Sequence, residues 1–428
     1  MEVPPSHLRF PLFDSLRGIA ALSILVFHVA LFTVFIGGPV DSVAGAVLAH
    51  LNIGVPFFFL LSAFLLYRPF VAARVAGRDR PTFSGYAERR FLRIAPAYWA
   101  ALTVTAIVPG MAGAFSGNWW AYYGLLQNYP IFTPEGACAA DSYRCAIPPA
   151  WSLAVEVLFY AMLPLIVVAL AWVGRHRRTR SWLVPELAAI STLALVSLPA
   201  SVVWPIGGIG QVLNFSPIGT GLWFALGLGL ASVSVWVEQR GGEPAWVRTV
   251  RTRPWAPLSA ALGLYLAVSL FVLVPYPLAT YPLRDVDIYP FEFASFGLIA
   301  LLVLLPATFG AGGGGAYRRF LRHRVTTWLG LVSYGMFLWH FPALVLMFDL
   351  GAADWWPGMS FTVLLVTTLA VTVACAAVSY YALERPLMRW GRRRQARRRA
   401  ERGSPTPGAE AGVLAAASAP AAIERDRS

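Results

Sequence analysis

The sequence contains no lysine and few charged residues of any kind. Only 13% of its 428 residues are charged and 57% are hydrophobic, whereas a soluble domain carries roughly 25% charged and 45–50% apolar residues. The mean hydropathy of the whole chain is +0.61, which one buried core does not account for. The composition therefore excludes a soluble globular protein, excludes disorder over most of the chain, and indicates a polytopic membrane protein.

Cysteine is also scarce, and the three cysteines are too few for a disulfide scaffold or a zinc site. Cys138 and Cys145 share one polar loop and could form a disulfide if that loop faces an oxidising compartment; the sequence leaves open whether the bond forms. Cys375 lies in an apolar run, where packing is its expected role. No predicted helix places two histidine, cysteine or carboxylate side chains four residues apart, so we expect no metal site.

Ten segments of the sequence are apolar enough for membrane-spanning helices, which need about 20 residues. They cover residues 11–35, 51–73, 95–110, 150–173, 182–203, 218–237, 255–275, 291–309, 327–348 and 359–383. Of the 34 arginines, 30 fall on one side of these segments; Arg17 and Arg68 lie within segments, and Arg144 and Arg284 lie on the other side. Because basic loops mark the cytoplasmic face, we predict an all-α fold with about ten spanning helices and both termini in the cytoplasm.

The charge distribution also predicts the domain organisation. Residues 1–388 are expected to form one membrane domain, and residues 389–428, which begin with an arginine-rich run, a disordered cytoplasmic tail. A basic protein can bind nucleic acid, but here the charge sits in short blocks between apolar runs. That placement is typical of topology control and of contact with an anionic bilayer, so we expect no nucleic-acid partner.

Ionisable side chains within the first predicted helix are candidate functional residues, because each costs about 2.5–3.5 kcal/mol at a helix centre on insertion scales. Asp14, Arg17 and His28 lie on one stripe of this helix at 100° per residue. Asp14 and Arg17 are three residues apart and can pair. His28 lies roughly 16 Å further along the axis. The stripe thus offers a cation near the cytoplasm and a base in the outer half, although a packed neutral histidine is the alternative for His28.

Three further helices carry polar candidates. Ser152, Glu156 and Tyr160 follow one another at four-residue intervals in the fourth helix, after Trp151, and Glu156 is predicted to lie at the depth of His28. His340, in the ninth helix, is predicted to lie near or just outside the membrane midplane. Packing among aromatic side chains is the alternative role for this histidine. Ser62 in the second helix is a further candidate, for which a hydroxyl that contributes only to helix packing is the alternative. On the cytoplasmic side, Arg89, Arg90 and Arg93 precede the third helix, where topology control is the alternative.

Six motifs, taken in order, resemble those of the membrane acyltransferase-3 family, which includes bacterial O-antigen and surface-sugar acetylases. They are FDSLRGIAALSILVFHV, GVPFFFLLSAFLL, RRFLRIAPAYW, WSLAVEVLFY, LVSYGMFLWHFP and YYALERP, and they run from residue 13 to 386. The resemblance implies a multi-pass protein of the bacterial plasma membrane that takes an acyl group, often acetyl, from cytoplasmic acyl-CoA. The acyl group passes to a sugar hydroxyl at the outer face. Acyl-CoA is then a co-substrate, and no permanently bound cofactor is expected.

The resemblance also implies roles for individual residues. His28 matches the family's essential histidine and Arg17 its first-helix arginine, while Glu156 matches the acidic residue of the WSL-x-x-E motif. The cytoplasmic basic motif associated with acyl-CoA handling matches Arg90, Arg93 and Pro96, next to Arg89. Where the family usually has Ser-Gly-Phe, this chain has Ser62, Ala63 and Phe64, which is expected to alter a close helix or pantetheine contact. The sequence resembles members that lack a C-terminal hydrolase-like domain.

The two lines of reasoning lead to one mechanistic hypothesis. His28 acts as the general base on the acceptor hydroxyl, with Glu156 orienting His28 or the sugar, and the arginines hold the CoA phosphates. The side chains expected to line the substrate channel are Ser62, Trp151, Ser152, Tyr160 and His340. The alternative is a transporter or flippase that uses His28, Glu156 and His340 as a proton relay.

Overall fold

The computed structural model describes residues 10–34, 42–129, 132, 144–175, 182–202, 209–240, 242–272, 289–310 and 315–403. In these ranges the chain is helical and has no β-strand, apart from one isolated bridge between Ala112 and Cys145. The long helices are α1 (Pro11–Val34), α3 (Gly54–Val75), α4 (Phe83–Ile107), α6 (Ala150–Arg175), α7 (Leu183–Val202), α9 (Gly221–Gln239), α11 (Trp255–Ala267), α12 (Tyr289–Phe309), α14 (Arg324–Asp349), α15 (Ser360–Ser379) and α16 (Arg385–Gly403). Short helices connect them: α2 (Val43–Ala49), α5 (Trp119–Tyr123), α8 (Ile209–Asn214), α10 (Ala245–Thr252) and α13 (Ala316–Leu321).

Every one of the ten predicted segments coincides with a helix of the structure. Seven helices of the described chain are long and apolar enough to cross a membrane, and α7 and α11 contribute shorter apolar stretches. The remaining segment, predicted over 95–110, is the second half of α4, which begins at Phe83 and carries three arginines in its first half. The chain is thus an all-α, polytopic membrane protein; the number of crossings and the cytoplasmic position of both termini stay predictions.

Helix α1 lies at the centre of the fold and packs most extensively on α14 and also on α3 and α15. The α1–α14 contact is close because glycines face it from both helices. A Cβ atom at Gly18 would lie 2.8 Å from the backbone nitrogen of Gly330, and a Cβ atom at Gly330 would overlap the Asp14 carbonyl. Small residues allow helices in a membrane to approach in this way. The first half of α1 is thereby held against α14.

Helix α3 makes a similar approach to α9, where a Cβ atom at Gly227 would overlap the Leu60 carbonyl. Ala63, at the position where the resembling family usually has glycine, is fully buried, and its methyl group lies against Gly227. The extra methyl therefore occupies the interface between α3 and α9.

The segment predicted to be disordered from residue 389 is helical as far as it is described. In α16, Nε2 of Gln395 donates to the Gly85 carbonyl at 3.1 Å and lies 3.2 Å from the Glu88 carboxylate. Gly391 leaves room for Leu92 of α4. The prediction of disorder rested only on the charge of this run. The small and polar residues that face α4 stabilise a helix. Residues 404–428 lie outside the described residues.

The cysteines differ in state. Cys145 is disulfide-bonded and Cys375 is free, while Cys138 lies outside the described residues. Next to Cys145, Arg144 forms an ion pair with Asp349 at the end of α14. A disulfide at Cys145 is consistent with the predicted outward position of this loop, since such bonds persist in oxidising compartments.

Replacement of Gly330 by alanine is expected to destabilise the protein by about 1–3 kcal/mol, the usual cost of overpacking a well-packed core. The new methyl group meets backbone atoms of Asp14 and Ser15, which cannot rotate away. Thermal unfolding of the purified protein in detergent measures the effect. Gly263→Ala in α11 is the matched control, because nothing lies within 4 Å of that position. Equal unfolding temperatures for the two variants would contradict the tight α1–α14 contact.

Candidate active site

The outer half of α1 brings His28 into contact with His340 of α14. Nε2 of His340 lies 3.2 Å from Nδ1 of His28, and the two ring centroids are 5.0 Å apart. His340 is only 1% exposed, whereas His28 is half-buried. Phe27 and Phe341 pack edge-on against the His28 ring at 4.9 and 5.2 Å. The pair is therefore enclosed by aromatic rings, with His28 the more accessible member.

A second polar cluster, which we call the inner cluster, joins Arg17 of α1, Ser62 of α3, and Glu156 and Tyr160 of α6. The Ser62 hydroxyl donates to Glu156, and Nη2 of Arg17 lies 3.5 Å from the Ser62 oxygen. The Tyr160 hydroxyl also donates to Glu156 and lies 3.3 Å from Ser62. Ser62 is 1% exposed and Arg17 8% exposed. The four-residue spacing of Glu156 and Tyr160 thus places both on one face of α6, as the sequence indicates.

The two groups are separate along α1. Arg17 and His28 differ by roughly 16 Å in axial position, and Glu156 is linked to Arg17 through Ser62. In the described part of the chain, the hydrogen-bonding partner of the His28 ring on another helix is His340. An orienting contact from Glu156 to His28 does not appear there, since the Glu156 carboxylate is engaged by Ser62 and Tyr160.

Asp14 and Arg17 form no ion pair in the described residues, although the Asp14 carboxylate lies within electrostatic range of the Arg17 guanidinium. The Arg17 side chain reaches across to α3 and bonds to Ser62. The Asp14 backbone lies directly against Gly330 of α14, so the two residues meet different neighbouring helices. The three-residue spacing allows the two side chains to meet on one helix. They do not pair because α1 packs between α3 and α14.

Two residues of the WSL-x-x-E motif contact residues outside the inner cluster. The Ser152 hydroxyl donates to the Pro149 carbonyl at 3.1 Å, at the start of α6. The Trp151 ring packs against Phe215 at 5.0 Å, and its carbonyl accepts a hydrogen bond from Asn128 at 2.9 Å. These contacts fix the beginning of α6 and thereby the height of the two polar residues that follow.

The arginines of α4 lie on the predicted cytoplasmic side of the inner cluster. The Arg90 guanidinium lies 5.6 Å from the centre of the Tyr160 ring, within the range of a cation–π contact. Arg93 is half-buried and within electrostatic range of Arg17. Arg89 is exposed and lies 3.0 Å from Gln395 of α16. Pro96 follows three residues after Arg93 inside α4.

Glu384 is a member of this region that the sequence analysis did not assign. It is 3% exposed, accepts a hydrogen bond from Ser379 at 3.2 Å, and lies within electrostatic range of Arg93. The signal was present in the motif YYALERP, because a carboxylate directly at the end of an apolar run needs a partner.

A second buried network was also missed. Glu186 of α7 is fully buried and accepts hydrogen bonds from Tyr67 at 2.6 Å and Ser232 at 2.7 Å, and Arg74 pairs with it. This network joins α3, α7 and α9 and contacts none of the inner-cluster residues in the described chain. Its fully satisfied carboxylate indicates a structural role.

In the described residues no group of three or more histidine, cysteine, aspartate or glutamate side chains lies close enough to hold a metal ion. The chemistry available at the site consists of an imidazole pair, a buried guanidinium, a carboxylate with two hydroxyl partners, and a basic cytoplasmic approach. Acid–base catalysis and the binding of an anionic ligand both suit this set.

Comparison with known proteins identifies relatives of the whole chain. It is 26% identical over 92% of its length to the putative peptidoglycan O-acetyltransferase YrhL of Bacillus subtilis, of which it covers 57%. It is 27% identical over 92% of its length to the acyltransferase MdmB of Streptomyces mycarofaciens, of which it covers 95%. The peptidoglycan O-acetyltransferase OatA of Listeria monocytogenes is 22% identical, and 57% of it is covered. The chain thus spans little more than half the length of two of these relatives.

No solved structure matches the chain. The family model described as an acyltransferase domain, Acyl_transf_3, matches residues 11–381 and so covers all ten long helices that precede α16, together with both polar groups of the site. The protein therefore belongs to the acyltransferase-3 family of membrane acyltransferases.

Proposed function

We propose that the protein is a membrane O-acyltransferase that moves an acyl group, acetyl in the first instance, from cytoplasmic acyl-CoA to a hydroxyl group of a sugar at the outer face of a bacterial plasma membrane. The observation that carries the proposal is the division of polar residues along α1. A buried guanidinium beside a basic helix stands roughly 16 Å from an imidazole pair. This arrangement suits a donor that arrives from one side and an acceptor that arrives from the other.

The donor end is supported by charge. CoA carries phosphate groups, and guanidinium groups bind phosphates through charge-assisted, bidentate hydrogen bonds. Arg90 and Arg93 lie where α4 approaches the inner cluster. Between the phosphates and the thioester, the donor has amide groups. The hydroxyls of Ser62 and Tyr160 and the carboxylate of Glu156 offer hydrogen-bonding partners for such groups along the path.

The acceptor end is supported by the accessibility of His28. A neutral imidazole takes the proton of the sugar hydroxyl as the oxygen forms a bond with the thioester carbonyl carbon. The tetrahedral intermediate collapses, the carbon–sulfur bond breaks, and the CoA thiolate leaves with the proton that His28 took up. General-base catalysis of this kind contributes roughly 10²–10⁴-fold to the rate.

The class of acceptor is inferred from the relatives. Two of them are named as acting on peptidoglycan, so the acceptor we propose is a carbohydrate, either a surface glycan or a glycosylated molecule. The transporter alternative needs His28, Glu156 and His340 in one relay. In the described chain His28 bonds to His340, whereas Glu156 bonds to Ser62 and Tyr160, so no observation favours it.

Deletion and complementation test the function. Mass spectrometry of surface glycans and secreted glycosides would compare the deletion strain with strains that carry the native protein or His28→Ala. We expect an alkali-labile acyl group to vanish on deletion and to return with the native protein but not with His28→Ala. His323→Ala is the matched control, because His323 is an exposed residue that caps α14 and should restore the ester fully.

Two other results would contradict the proposal. Full acylation by a well-folded His28→Ala protein would refute the general-base mechanism. Unmodified product that accumulates inside the deletion strain, with no change in any acyl group, would establish the transporter reading instead.

Substitution of two buried serines distinguishes a residue of the inner cluster from a residue with a structural role. Ser62→Ala removes one of the two hydroxyls that donate to Glu156 and the hydroxyl that lies 3.5 Å from Arg17. We expect about a tenfold or greater loss of acyl transfer, since a hydrogen bond to a charged group contributes about 1.5–3 kcal/mol. Ser152→Ala removes a hydroxyl that, in the described chain, bonds only to the Pro149 carbonyl, and it should leave the rate within about twofold of the native value. The rate of label incorporation from radioactive acetyl-CoA in membrane vesicles measures both. Equal losses in the two variants would show that the inner cluster has no special role.

A further inference from the structure

The hydrogen bonds of His340 fix which of its ring nitrogens carries a proton. Nδ1 lies 2.8 Å from the Phe337 carbonyl and 3.2 Å from the Met336 carbonyl, one turn earlier in α14. A carbonyl oxygen only accepts hydrogen bonds, so Nδ1 must be the protonated nitrogen. In the neutral ring Nε2 then carries a lone pair and is an acceptor. This acceptor is the atom that faces Nδ1 of His28 at 3.2 Å.

The same reasoning fixes the tautomer of His28. Its Nδ1 lies 2.9 Å from the Ile24 carbonyl and 3.2 Å from Nε2 of His340. Both neighbours are acceptors, so Nδ1 carries the proton and shares it between them. A neutral imidazole has one N–H group, and Nε2 of His28 is therefore the nitrogen with the free lone pair. The two hydrogen bonds at Nδ1 thus leave Nε2, on the opposite side of the His28 ring, as the nitrogen that can act as the base.

The contact becomes stronger when His28 takes up a proton. The imidazolium donates a charge-assisted hydrogen bond from Nδ1, which is roughly twice as strong as the neutral one. His340 can accept that bond but cannot pass a proton on, because its own Nδ1 faces only backbone carbonyls in the described chain. The pair therefore stabilises a protonated His28 without relaying its proton across the membrane.

The surroundings explain why a histidine, and not a carboxylate, holds this position. His340 is almost fully buried, and Phe337 and Phe341 lie 6.1 and 6.4 Å from its ring. An ionised carboxylate in such surroundings would carry a large desolvation cost while His28 is neutral. A neutral imidazole offers the acceptor at no such cost.

We propose that His340 is a positioning residue for the acyl transfer: through its Nε2 it accepts the Nδ1–H of His28, holds that ring with Nε2 as the base, and stabilises the imidazolium formed when the acceptor hydroxyl is deprotonated. The inference rests on the proposed function, since it needs His28 to act as a base.

Three substitutions at position 340 test the proposal. Glutamine places its amide oxygen near the position of Nε2, asparagine reaches only to the position of Nδ1, and leucine has no acceptor. Inside-out membrane vesicles of the deletion strain, which retain the native acceptor, would carry each variant. Label transferred from radioactive acetyl-CoA to alkali-labile ester gives the maximal rate per protein and the KM for acetyl-CoA.

We expect His340→Leu and His340→Asn to lower the maximal rate about 10- to 100-fold, as the loss of an orienting hydrogen-bond partner does for histidines that bind metals. His340→Gln should retain the rate within a few-fold. The KM for acetyl-CoA should not change, because the phosphates are proposed to bind at the arginines of α4. Thermal unfolding in detergent checks folding, and if His340→Leu unfolds, the Gln and Asn variants decide the question.

The outcomes separate the inference from the function on which it rests. A native rate in His340→Leu, or equal losses in the Gln and Asn variants, would overturn the role of Nε2 and leave a packing role. In both cases the proposed function still holds if the native protein is active and His28→Ala is inactive. No ester formation by the native protein would instead refute the function itself.

Discussion

The close contact between α1 and α14 is the constraint on which the rest of the site depends. Gly18 and Gly330 bring the two backbones so near that neither position has room for a methyl group. This contact lies at the level of Asp14 and Arg17, and from there the helices run on together to His28 and His340. A membrane offers no hydrophobic driving force for such an association, so close van der Waals packing must supply it. The imidazole pair is a consequence of that packing.

The polar groups inside the fold follow one physical rule. In the described part of the chain, the buried side chains of Arg17, Arg68 and Glu186 each have a hydrogen-bonding partner on a neighbouring helix, as the cost of an unpaired charge in an apolar medium demands. Glu186 is satisfied by Tyr67, Ser232 and Arg74 and holds three helices together. Arg17 differs, because its one contact in the inner cluster is a long hydrogen bond to Ser62. A guanidinium with donors to spare suits a ligand that arrives from the cytoplasm.

Much of the architecture was predictable because the bilayer restricts what a chain can do. All ten apolar segments are helices, since a helix satisfies its backbone within one segment. The polar stripe of Glu156 and Tyr160 was predictable from the period of 3.6 residues. The possible ion pair between Asp14 and Arg17 does not form in the described residues, and residues 389–403 are helical where disorder was predicted. Each was judged on one helix alone, and a neighbouring helix decided both.

The sequence by itself determined the class of the molecule: its composition required a polytopic helical membrane protein, and its motifs indicated the acyltransferase-3 family that the comparison confirms. It also indicated candidate residues for the chemistry, because ionisable groups in apolar helices stand out against their surroundings. Which of these residues meet was decided only by the tertiary structure. His28 and His340 are 312 residues apart in the chain, and Ser62 and Glu156 are 94 apart. Helical periodicity fixes the face on which a side chain lies, but the rotation and height of one helix against another depend on packing that no single segment contains.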